Sequence, residues 1–118
     1  MTARFELVLD NRGKFHFQLR GHDDEVLLRG GSCATKAMAE IDVAHTREVM
    51  RDVKHLAPFR SYDGGHFLVI KYDDDKMLAR SSRVPTAREL AMIAKQIRTV
   101  PTDVPLVDLS DRKEAHAR

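Results

Sequence analysis

Apolar and polar side chains alternate strictly over residues 14–20, where Phe15, Phe17 and Leu19 interleave with Lys14, His16, Gln18 and Arg20. A period of two sends the apolar set to one face of a sheet and the polar set to the other, so this segment is predicted to be a half-buried strand. Residues 5–9 read as a preceding strand, and Asp10–Gly13 between the two has turn chemistry, with Gly13 free to take positive φ. A second turn at 21–24 leads to a short strand at 25–29, which Gly30-Gly31-Ser32 ends. Thr35 is the expected N-cap of a helix running to about Met50, with an apolar stripe of Ala37, Met38, Ile41, Ala44 and Val49.

The second half follows the same plan. Strands are predicted at 59–62, 66–72 and 77–79, separated by Asp63-Gly64-Gly65 and by Asp73–Lys76. Pro85-Thr86-Ala87-Arg88-Glu89 carries capping-box spacing between Thr86 and Glu89. Leu90, Ile93, Ala94 and Ile97 then form a compact helical face, and 105–109 read as a last strand. The halves align with Gly13 on Gly65, Leu27 and Arg29 on Leu78 and Arg80, Thr35 on Thr86, and Pro58–Tyr62 on Pro105–Leu109. A unit of about fifty residues encloses little core alone, so two are expected to share one.

The residues Phe5-Glu6-Leu7, Gly13 to Arg20, Val26-Leu27-Leu28, Thr35-Lys36-Ala37 and the closing Pro105 to Ser110 resemble the YegP-like family of small bacterial and archaeal proteins of unknown function. The resemblance implies an α+β fold: two tandem β-β-β-α-β repeats in one mostly antiparallel sheet, two helices on one face, and final strands exchanged between repeats. Two-unit members of this kind resemble a covalently fused dimer. The expected organisation is one pseudo-twofold domain over 1–110, with repeats at about 4–62 and 58–110 and a frayed tail at 111–118. Where the family carries an aromatic before each helix this chain has Cys33 and Val84, and Asp42 stands at the usual glycine of the first helix.

Composition narrows function mainly by exclusion. Twenty basic and 18 acidic residues leave a formal charge of +2, less than the clustered excess of a dedicated nucleic-acid coat. One cysteine, Cys33, rules out an internal disulfide and fits a reducing, cytoplasmic setting. No signal peptide or membrane helix is expected, because Met1–Asp10 already holds Arg4 and Glu6 and no run approaches about 18 apolar residues.

No cofactor or metal is predicted. The acidic turns at 22–24 and 73–75 lack EF-hand spacing and read as hairpin tips, and Cys33 reads as a packing position. No residue set combines a nucleophile with a base, so the chain is not expected to be an enzyme. Two binding surfaces remain. Leu68, Ile70 and Tyr72 make the polar face of the first unit apolar in the second, which predicts a contact with a protein partner or a second copy, or else cover by the C-terminal segment. The alternative is weak nucleic-acid or ribosome binding through Arg20, Arg29, Arg80 and Arg83.

Overall fold

The computed structural model describes residues 2–111. In chain order it contains β1 (Arg4–Leu9), β2 (Phe15–Arg20), β3 (Val26–Gly30), α1 (Lys36–Val49), β4 (Leu56–Arg60), β5 (His66–Asp73), β6 (Lys76–Arg80), α2 (Ala87–Thr99) and β7 (Leu106–Asp108). One 3₁₀ turn, Val53–His55, precedes β4. The seven strands form a single mixed sheet in the order β4-β5-β6-β3-β2-β1-β7. Every pairing is antiparallel except β1 with β7. The class is therefore α+β, with both helices packed against one face.

The alternation in β2 does what its period requires. Phe17 and Leu19 lie opposite Leu7 and Phe5 and face the helices, while Gln18 and Arg20 lie opposite Glu6 and Arg4 on the other face. Gly13 closes this hairpin at φ +79, and Asp10 Oδ1 accepts the backbone N–H of Arg12 and Lys14 at 2.8 and 3.0 Å. Thr86 caps α2 by accepting from the Glu89 N–H at 3.1 Å; Glu89 answers by accepting the Thr86 hydroxyl, not its backbone N–H.

The core runs under both halves. Phe5, Phe17, Leu19 and Leu28 meet Leu68, Ile70 and Leu78, and all are covered by Val43, Val49 and Met50 of the first helical region and by Leu90, Ile97 and Val100 of the second. At most about 1.5–3 kcal/mol accrues from each large side chain withdrawn from water, so this shared cluster is the main stabilising feature.

Several expectations are corrected. The positive φ in the second hairpin is at Gly64, not Gly65, and the β5 register shifts by one residue from the alignment made on sequence. With a period of two, that slip exchanges the faces. Leu68 and Ile70 are 3% and 0% exposed in the core, and Tyr72 packs against it, its ring stacked 4.2 Å from His45 of α1. The apolar surface expected at 68–72 is thus covered within the chain by the helices, and Phe67 and Phe15 occupy opposite faces.

The stripe on α1 also differs: Ala39, Asp42, Val43, Thr46 and Val49 are buried, whereas Met38 and Ile41 are half exposed. Two polar residues sit inside that face because each has a partner. Thr46 donates to the Asp42 carbonyl at 2.7 Å, and the Asp42 carboxylate takes Cys33 Sγ at 3.4 Å and Lys76 Nζ at 3.3 Å. The strand predicted at 59–62 starts earlier, at Leu56, and stops at Arg60; Pro58 is tolerated because β4 is an edge strand. After α2, β7 crosses to pair with β1, but 58–62 do not mirror it: β4 sits beside β5 as β1 sits beside β2. Ser110, the last residue before the expected tail, is buried and donates through both its N–H and its hydroxyl to Asp108 Oδ1. The rest of that tail, from Arg112, lies outside the described residues.

Candidate functional site on the open sheet face

The sheet face turned away from the helices is polar on the β1–β2 side. Glu6 is its hub, accepting from Gln18 Nε2 and Arg20 Nε at 2.8 Å and from Arg4 Nε at 2.9 Å. Burial pushes the Glu6 carboxyl up, but the bonds from Arg20, Gln18 and Arg4 outweigh it and hold the group below its ordinary range. Arg20 is therefore committed. Its Nη1 reaches the Asp24 carbonyl at 2.7 Å.

The centre of the face is different. β3 and β6 meet over only two register pairs, and one of them sets Arg29 directly opposite Arg80. Like charges opposed across strands are destabilising. Arg29 donates to Gln18 Oε1 at 3.3 Å, and among the described residues neither arginine has an ion pair with an acid. A cleft of about 400 Å³ opens here, lined by both arginines, Arg83, Phe67 and the serines at 61, 81 and 82. Arg83 lies on its rim and pairs with Asp63 at 2.6 Å, both side chains more than half exposed. Of the four arginines expected to act together, the fold gathers Arg29, Arg80 and Arg83 and leaves Arg20 elsewhere.

An aromatic pair borders the same cleft. Phe67 of β5 lies opposite Phe59 of β4, and the rings stack at 5.7 Å with Phe59 45% exposed. The alignment of Gly13 on Gly65 matches Phe67 with Phe15, which faces the helices, and so hides this pair in the sequence. The signal was the pair of phenylalanines flanking the Ser61–Gly65 turn at equal distance from its centre.

A second cleft, of about 580 Å³, shares Arg29 and Arg80 and continues to Asp10, His16 and Ser32. His16 Nε2 lies 2.7 Å from Asp10 Oδ2. That bond, with the Lys14 and Arg12 backbone donors, pulls the Asp10 carboxyl down to about 2.

The other candidate chemistry resolves into local structure. Cys33 is buried with Leu7 and Ala39, and burial, then Asp42, pushes its thiol up, away from the nucleophilic thiolate. In the acidic turns Asp24 binds Arg4 at 2.7 Å and Asp73 accepts the Asp75 N–H at 2.9 Å. Among the described residues no three His, Cys, Asp or Glu side chains converge as metal ligands, and no helix is long and apolar enough to cross a membrane.

No family model and no curated protein matches the chain. Two solved structures do. A protein of unknown function, YegP from E. coli, superposes with a TM-score of 0.85 at 19% identity, covering 93% of this chain and 95% of its own. A UPF0339 protein from Shewanella oneidensis superposes with a TM-score of 0.86 at 16% identity, covering 98% of each chain. At such identities the likeness is one of fold: an α+β arrangement with one seven-stranded mixed sheet and two helices.

Proposed function

We propose that the open face of the sheet binds single-stranded nucleic acid without catalysis, with Arg29, Arg80 and Arg83 on phosphates and Phe67 and Phe59 offering a surface for base stacking. The carrying observation is the Arg29–Arg80 register pair, two opposed arginines with no ion pair to an acid among the described residues and an aromatic pair at their side. Such a pair costs stability in the free protein, and an anion between the two groups removes that cost. Flat aromatic rings beside cations on an exposed sheet suit bases and phosphates of any sequence. The reading displaces the protein-contact surface at Leu68, Ile70 and Tyr72, which has no exposed patch to offer. Cytoplasmic residence is part of the proposal.

The chain is further read as a duplicated unit forming one pseudo-twofold domain over 1–110, with β4 opening the second unit. The constant spacing that relates Gly13 to Gly64, the Phe15–Cys33 bridge to the His66–Val84 bridge, and N-cap Thr35 to Thr86 supports this. Duplication would bring Arg29 and Arg80 face to face as copies of one residue.

Fluorescence anisotropy with a labelled single strand of about ten nucleotides tests the binding reading. Micromolar affinity is expected, with log K falling against log salt between about 50 and 200 mM at a slope near −2, the value for about three neutralised phosphates on a single strand. Phe67→Ala should cost about 1–3 kcal/mol of binding. A salt-independent signal, or none, contradicts the reading.

A further inference from the structure

We propose that the larger cleft takes a phosphate monoester, the terminal phosphate of a strand or of a free nucleotide, an inference that rests on the nucleic-acid reading and names the end of the ligand it holds. An internal phosphodiester carries one negative charge; a monoester carries about −1.5 to −2 at neutral pH and one more free oxygen. It therefore calls for more donors around one phosphate than a strand contact does. This cleft gathers Arg29 and Arg80 from the seam and the His16 imidazole from β2.

The imidazole is held in place. Asp10 Oδ2 takes Nε2, while Oδ1 is fixed by the Arg12 and Lys14 N–H groups, so the carboxylate is itself anchored by the turn. Nδ1 is left without a partner among the described residues. The His16 side chain is 28% exposed, enough to be met by a ligand in the cleft. Protonated, it donates through Nε2 to Asp10 and through Nδ1 to a phosphate oxygen. Asp10 brings a negative charge, but its two oxygens are already engaged by His16 Nε2 and two backbone donors. Ser32, at the end of the Gly30-Gly31-Ser32 run, adds a hydroxyl donor to the same lining. The smaller cleft, on the same two arginines, has Ser61 and Phe67 and no histidine. The arginine pair thus lies between the Phe67 side and the His16–Ser32 side, an arrangement that suits a base on one and a terminal phosphate on the other.

The test compares labelled single strands of one sequence ending in a phosphate or a hydroxyl, at either terminus, with uridine 5′-monophosphate and uridine as competitors. The terminal phosphate should tighten binding about tenfold or more, the worth of a charge-assisted contact. The monophosphate should compete and the nucleoside should not. His16→Gln should erase the phosphate advantage; if that variant melts below the assay temperature, Ser32→Ala and Arg80→Gln report instead. Equal affinities for both ends, with no competition by the monophosphate, overturn the monoester site even if strands bind. Binding of the monophosphate without binding of a hydroxyl-ended strand sinks the strand-binding reading and leaves the monoester site standing.

Discussion

Ile70→Asp is expected to unfold the protein rather than alter its assembly. Ile70 is fully enclosed at the middle of β5, opposite Leu56 on one side and Ala79 on the other, in the cluster that both helices cover. Removing its side chain forfeits about 1.5–3 kcal/mol of burial, and placing a carboxylate there without a partner costs several kcal/mol more. The total, about 5 kcal/mol or above, rivals the whole stability of a small domain. Circular dichroism melting combined with sedimentation decides the matter. A folded Ile70→Asp protein whose only change is a lower mass would restore the exposed-patch reading of 68–72.

The second large effect is on binding. Replacing Arg29 and Arg80 together by glutamine should weaken single-strand affinity by about 100-fold or more, since two charge-assisted contacts to phosphate are lost at about 1.5–3 kcal/mol each. The same double variant should be more stable than the parent by about 0.2–1 kcal/mol, because the opposed guanidinium groups repel across the β3–β6 seam. Opposite signs in the two measurements separate a binding role from a structural one. A double variant that loses stability and keeps its affinity assigns the arginines to the fold.

Much of the architecture can be read directly from residues. The strict alternation in β2, the Thr86–Glu89 spacing and the i, i+3, i+4, i+7 face of α2 each point to one structure, and the chain adopts it. The misreadings share a cause: more than one register satisfied the local pattern. Gly64 and Gly65 are adjacent candidates for the same positive φ, and β5 is apolar on both faces, so hydrophobicity could not say whether Phe67 and Val69 or Leu68 and Ile70 face the helices. On α1, Asp42 and Thr46 hold the buried stripe through hydrogen bonds that no hydropathy pattern reveals, which diverted the reading to Met38 and Ile41.

The candidate site was half legible for the same reason. Arg29 and Arg80 stood out as matching positions, and the fold brings them into direct register. Arg20 shares their face, but a buried glutamate on the neighbouring strand claims it, a fact that depends on the β1–β2 register. The aromatic pair depended on the face of β5, and the Asp10–His16 bond spans a hairpin turn whose geometry only coordinates supply.

The most direct test of the binding face is a titration of isotopically labelled protein with a single-stranded oligonucleotide, followed by amide chemical-shift changes. The shifts should concentrate at Arg29, Arg80, Ser81, Ser82, Arg83 and Phe67 across the β3–β6 seam and at its β5 border, and leave the outer face of α1 and α2 quiet. Shifts centred on Met38, Ile41 and Met92 of the helices, or none at saturating oligonucleotide, would contradict it.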